Sequence, residues 1–419
     1  MVEPKLRFPE FNRTWEISKI EDFVNEMRGG ASLRPKEILN SGDYKIIPKK
    51  SIQSGGKIVI DDNCSYVTSD VFKRFEKNQV DKTYLLVVLR DLVPTGPNIG
   101  YIVENDKVEN GILAQGVYGF KLSKGLNEQY LIQFSNTPKY RTIMRNIMVG
   151  STQVHIRNSS FLDVKIPYTS LAEQQKIAEF LSTIDTVIAK QKETVSAWEE
   201  RKKGVMQKLF SQEVRFKADD GSEFPEWEEK KLGDVADFFN GDRSARYPKE
   251  TDFVKYGVAF LNTENLHNTI VDISEKCKYI TYEKYCELSG AKIQLLDIIY
   301  CLRGSVGLCS LNTILEEGTV ASSLMVIRAV DGIIDPIYLY NSLNSAFVLG
   351  QLYQCLNGSC AGNLSAKDMA MFKIKCPCLA EQQKIADCLS SLDDVIAKQK
   401  ATLAAWEELK KGLLQQMFV

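Results

Sequence analysis

The chain has 419 residues, 26% of them charged and 10% aromatic, and a formal net charge of −1. That length suits two or three domains with ample core, and the composition excludes a disordered polymer. The opening MVEPKLRFPEF lacks an apolar leader and no long apolar run follows, so a cytoplasmic protein with no membrane partner is expected.

In chain order, Leu6 to Phe23 opens a first globular unit over about residues 14–166. Its β-prone runs are Tyr44 to Ile47, Lys57 to Ile60, Tyr84 to Val88, Tyr101 to Val103 and Val117 to Leu122, separated by SGD, SGG, PTGPN and ENDKVENG. A helix is predicted around Glu128 to Asn136, followed by the basic stretch KYRTIMRN and the strand QVHIR, where His155 reads as a strand residue. Leu171 to Phe210 reads as one long helix, free of proline and rich in Ala, Leu, Glu, Lys and Gln. Its apolar residues Ile177, Leu181, Ile184, Ile188, Val195, Trp198, Val205 and Leu209 follow a heptad seam. The segment Val214 to Phe238 then repeats the chain's opening around an insertion, with Trp15, Ile20 and Gly29 matching Trp227, Leu232 and Gly241 at an offset of 212.

The second unit, about 228–376, has strands predicted at Val258 to Leu261, Ile293 to Cys301, Leu308 to Leu311 and Ser323 to Arg328, and helices at Pro336 to Leu343 and Ala346 to Cys355. Leu379 to Phe418 repeats the long helix 208 positions on without a gap, 27 of 40 residues being identical. Its seam is Ile385, Leu389, Leu392, Ile396, Leu403, Trp406, Leu413 and Met417. Any core-facing helix needs an apolar stripe. Two near-identical seams with polar residues at matching places, Gln191/Gln399 and Lys202/Lys410, favour pairing with each other. Each unit closes in an extended run ending at proline, Val164 to Pro167 and Ile374 to Pro377. The expected segments are 1–166, 167–212, 213–376 and 377–419, and the fold class is α+β: two mixed α/β domains and two long helices in a doubled, pseudo-two-fold chain.

The ten cysteines form no CxxC pair and the only histidines are His155 and His267, so reduced thiols, no metal and no histidine-based catalysis are expected. There is no GxxxxGK[ST] loop for a nucleotide. DPIY (Asp335 to Tyr338) resembles the DPPY loop of amino-methyltransferases, but Ile337 breaks it and no Gly-rich methyl-donor turn precedes it. It reads better as a helix start with proline in the first turn.

The doubled proline–LAEQQKIA–heptad pattern, the W-x4-[IL]-x8-G openings and the run Leu295 to Gly307 resemble the specificity subunit of a type I restriction-modification enzyme over essentially the whole chain. The resemblance implies a non-catalytic DNA-binding subunit with two target-recognition domains, each reading half of a bipartite target. The helices would form an antiparallel coiled coil, setting the spacer and docking two methyltransferase subunits. Restriction/translocase subunits would complete the complex. S-adenosylmethionine, ATP and Mg would reside on those partners, with no cofactor on this chain. Antiparallel helices suit readers of half-sites about one DNA turn, ~34 Å, apart. One departure is GPNIG (Gly96 to Gly100) where the second unit has RGSVG. The alternative is a coiled-coil scaffold whose units bind proteins, which the near-zero charge would suit.

Residue type nominates the contacts. For DNA these are Lys49, Lys50, Lys139, Tyr140, Arg141 and Arg145 in the first unit. In the second they are Arg243, Arg246, Asn262, Thr263, Asn265 and Arg303, the Asn262 loop matching that of Lys49 and Lys50. For helix pairing and docking they are Ile177, Leu181, Ile184, Ile188, Trp198, Ile385, Leu389, Leu392, Ile396 and Trp406.

Overall fold

A computed structural model describes residues 3–61, 63–274, 276–358 and 364–418. It divides into two compact units, residues 1–193 with 400–419, and residues 194–399. Both boundaries fall inside the long helices Leu171–Phe210 and Leu379–Met417.

The first unit is built on an antiparallel four-stranded sheet ordered Val24–Gly29, Val117–Leu122, Leu85–Val88, Ile102–Glu104. A mixed sheet beside it contains the parallel pair Tyr44–Ile47 and Gly111–Leu113. The second unit repeats the plan. Its antiparallel sheet runs Ala236–Asn240, Leu324–Ala329, Ile298–Cys301, Cys309–Leu311, and its parallel pair is Val258–Leu261 with Thr319–Val320. Leu85–Val88 and Ile298–Cys301 are buried throughout, as the apolar runs require of strands covered on both faces. Helices Glu128–Ser135 and Pro336–Leu343 start at Asn127 and Asp335, whose side chains accept from Tyr130 N and Tyr338 N. DPIY is therefore a helix start, as its proline foretold. The basic stretch KYRTIMRN lies in the helix Pro138–Ile147, capped by Thr137. Lys57 to Ile60 forms no strand: Lys57 makes one isolated bridge to Glu104, and Val59 N turns instead to Ser51 O. In the second unit the predicted strand from Ile293 starts only at Ile298, because Leu296 has φ +66° and breaks the extended path.

Each unit closes on itself. The strand Glu16–Lys19 pairs antiparallel with Lys165–Tyr168, and Glu228–Lys231 with Lys373–Cys376. Immediately after, the EQ of each LAEQQKIA is buried with no exposure. Glu173 takes a two-pronged bond from Arg7 (2.7 and 2.9 Å), and Glu381 takes the same from Arg215 (3.1 and 2.8 Å). Gln174 donates to Thr169 O and Gly125 O and accepts from Asn127 N; Gln382 donates to Pro377 O and Ile333 O and accepts from Asp335 N. This alignment makes Pro377 the counterpart of Thr169, not of Pro167, which sits within the strand opposite Ile17. The exchange is compensated. Thr169 donates its hydroxyl to Glu173, whereas Pro377 has no donor and Trp227 Nε1 bonds Glu381 at 2.9 Å.

The helices pair antiparallel inside each unit. In the first, Lys410 bonds Asp185, which also accepts from Gln133 at 2.7 Å, and Lys192 meets Glu407 at 2.8 Å. In the second, Lys202 bonds both oxygens of Asp393, at 2.6 and 2.7 Å. The seam lysines are thus neutralised by facing aspartates. The ends of the seam join the domain cores: Ile177 and Leu181 share a core with Leu414, Met417 and Phe418, and Ile385 and Leu389 with Leu209 and Phe210. Ile184, Ile188 and Ile396 are buried; Leu392, Trp198 and Trp406 are half-buried. Among the described residues eight cysteines are free thiols, but Cys355 is disulfide-bonded, against the expectation of reduced thiols throughout.

A β-bulge corrects one repeat assignment. Leu122 faces Val24 but Lys121 faces Glu26, so Asn25 is an extra residue; in the second unit Ala329 faces Ala236 and Arg328 faces Asp237 with none. Beyond the bulge the counterpart of Gly241 is Gly30, not Gly29. A Cβ on Gly30 would lie 1.9 Å from Ala114 O, and one on Gly241 2.2 Å from Ala321 O, whereas on Gly29 it would meet only the Tyr118 ring at 3.3 Å. Gly30→Ala and Gly241→Ala should each cost ~2 kcal/mol of stability, and Gly29→Ala well under half that, in chemical denaturation. Arg215→Ala, which leaves the buried Glu381 without its cation, should cost ~3 kcal/mol by the same measurement.

Candidate nucleic-acid interface

In both units the strand ladders carry four chain segments to one edge. In the first, Ala114 N donates to Ile47 O at 3.0 Å, so the turn Lys49–Ser51 follows directly on the parallel pair. Leu89 N donates to Gly116 O (3.0 Å) and Gly100 N to Val88 O (2.8 Å), which pins the chain on both sides of residues 90–99. The second unit has the same bonds: Ala321 N to Leu261 O (2.8 Å), Leu302 N to Ser323 O (2.9 Å) and Gly307 N to Cys301 O (3.1 Å). The turn Thr263–Asn265 therefore replaces Lys49–Ser51, and Arg303 replaces Arg90.

Around this edge the first unit gathers cations. A side chain on Gly116, which has φ +91°, would strike Lys49 Cε at 2.8 Å and Arg90 Cβ at 3.0 Å. Partial burial pulls the Lys49 ammonium below its usual range; Arg90 acts in the same direction and Asp91 against it. Arg90 also lines a cleft of about 340 Å³ with Tyr118, His155 and Arg157. His155 is a strand residue facing Arg90 across the short pair with Arg90–Asp91. In the second unit Arg243 donates to Ser322 O at 3.3 Å, Thr263 Oγ1 lies 3.8 Å from Cys301 Sγ, and Arg303 is exposed beside Gly304.

The model for the type I restriction modification DNA specificity domain matches residues 12–196 and again 225–405. The chain belongs to that family. Two relatives from Methanocaldococcus jannaschii are each 24% identical to it. One is the type I restriction enzyme MjaVIII specificity subunit, with 98% of this chain and 92% of the relative covered. The other is the putative MjaX specificity subunit, with 98% and 94% covered. The crystal structure of the type I restriction-modification S subunit from M. genitalium has the same fold, with a TM-score of 0.60 at 18% identity over 100% of this chain and 99% of that one. So does a chain from a study of complex assembly and conformational transition of the type I R-M system, with a TM-score of 0.54 at 14% identity over 97% and 99%.

In this specificity-domain protein the nominated residues divide. Lys49 and Lys50 lie at the shared edge of the first unit, and Arg243, Asn262, Thr263 and Arg303 at that of the second. Lys50 pairs with Asp61 at 2.6 Å, and the second unit has Glu264 at its position. Tyr140 is corrected: it is fully buried in the core and its hydroxyl donates to Gly100 O at 2.8 Å. Arg141 is committed to the fold, donating to Ile99 O at 2.7 Å and lying 3.7 Å over the Tyr101 ring. Asn265 is buried, holding its own turn through Asn262 N and Asp272 O. Lys139 and Arg145 are exposed on the helix Pro138–Ile147, and exposed Arg246 donates to Glu287 O at 3.3 Å. Arg90, Arg157 and the glycine turn at Gly116 escaped notice. The repeated Leu-Arg after an apolar run, Leu89-Arg90 and Leu302-Arg303, was the available signal. Among the described residues no His, Cys, Asp and Glu side chains group to hold a metal, and no helix is long and apolar enough to cross a membrane. Tyr140→Phe should cost ~1 kcal/mol of stability while leaving DNA affinity unchanged, read by denaturation and by duplex titration.

Proposed function

We propose that this chain is the non-catalytic, DNA-reading subunit of a type I restriction-modification complex. Each unit reads one half of a bipartite, asymmetric target through the edge that carries Lys49 and Arg90, or Thr263 and Arg303. The observation that carries this reading is the repetition of one backbone edge with different side chains, Lys49 and Lys50 against Thr263 and Glu264. Equivalent scaffolds with unlike surfaces suit two half-sites of unlike sequence. The antiparallel helices set the spacer and, with half-exposed Trp198 and Trp406, dock two methyltransferase subunits. Those partners supply S-adenosylmethionine, and restriction subunits supply ATP- and Mg-dependent translocation and cleavage, in the cytoplasm.

Co-expression with the cognate methyltransferase subunit and sequencing of methylated adenines should return one gapped, asymmetric motif. Exchanging residues 14–166 for those of a relative should change one half of it. A continuous motif, or a change in both halves, would refute the division of labour. A protein-binding scaffold would instead give no steep salt dependence of duplex binding.

A further inference from the structure

The same edge separates what the units share from what they do not. At matched backbone positions Lys49 becomes Thr263, Lys50 becomes Glu264 and Tyr118 becomes Met325. Ile156 N and Leu364 N bond Leu89 O and Leu302 O, so Arg157 becomes Ser365. One exposed side chain is retained, Arg90 and Arg303. It is hidden in the sequence because residues 91–99 separate Arg90 from Gly100, whereas residues 304–306 separate Arg303 from Gly307, six fewer.

Both arginines sit two residues beyond a buried strand, Leu85–Val88 or Ile298–Cys301, and hydrogen bonds fix the backbone before and after them. Arg90 donates to Gln153 Oε1 at 3.1 Å, and among the described residues neither guanidinium has a carboxylate partner. Two nominated cations of the first unit are engaged differently: Lys50 faces Asp61, and Arg141 holds the loop at Ile99. Two readers of unlike half-sites have one thing in common in their ligand, the phosphodiester backbone. Base-edge contacts must differ between the units, and phosphate contacts need not.

We infer that Arg90 and Arg303 are equivalent phosphate contacts, one per half-site, which set each unit's register on the duplex while the residues around them choose bases. The inference rests on the DNA-reading function proposed above. The test uses the full chain in complex with its methyltransferase subunit, wild type and with Arg90→Ala, Arg303→Ala and Arg90→Lys. Binding is titrated against salt on a duplex carrying the mapped motif and on a scrambled duplex of equal length. Each alanine variant should weaken binding to both duplexes by a similar factor. Each should also lower the slope of log affinity against log salt by about 1, with the methylated motif unchanged and the lysine variant close to wild type. A motif degenerate at one position in one half would overturn the assignment in favour of a base contact. An unchanged slope would overturn it outright. A wild-type complex that methylates no gapped motif would bring down the DNA-reading function itself, and the arginine assignment with it.

Discussion

Everything else in this fold depends on a buried carboxylate at the start of each long helix. Glu173 and Glu381 are fully enclosed, and an enclosed anion is tolerable only when paired and hydrogen-bonded. The partner in each case is an arginine from the arm that precedes the first strand of its unit, Arg7 before Glu16–Lys19 or Arg215 before Glu228–Lys231. Pairing fixes where the chain enters, and the adjacent glutamine fixes where the helices Glu128–Ser135 and Pro336–Leu343 begin. Two consecutive residues thus join arm, long helix and domain at one point.

A second constraint acts along the helices. A lysine in an apolar seam is costly unless an anion faces it, and the facing aspartates lie where antiparallel pairing puts them. Lys410 with Asp185 fixes the alignment within the first unit, and Lys202 with Asp393 fixes it within the second. A shift by one turn would leave each lysine against an apolar stripe. Polar seam residues here select alignment as well as partner.

The sequence made the architecture legible and the site only partly so. The doubled helix, the matching openings at Trp15 and Trp227 and the helix start at Asp335 needed only local pattern, because periodicity and capping are local properties. The loop match between Lys49–Ser51 and Thr263–Asn265 was also readable, as both follow an apolar run. What failed depended on register. One bulged residue at Asn25 displaced the glycine match, and six extra residues hid Arg90 behind GPNIG. Tyr140 and Arg141 failed for another reason: a basic stretch gives no sign of which side chains turn inward, and Gly100 and Ile99 provide carbonyls that claim both.

The pairing of Glu16–Lys19 with Lys165–Tyr168, and of Glu228–Lys231 with Lys373–Cys376, brings the two ends of each unit side by side. Each unit is then a loop on a stem. A loop can lengthen, shorten or change its surface without moving the stem, as the segment between Arg90 and Gly100, six residues longer than that between Arg303 and Gly307, illustrates. Differences at the outer edge of a unit are thereby uncoupled from the strand pair and the buried carboxylate that hold it to its helices.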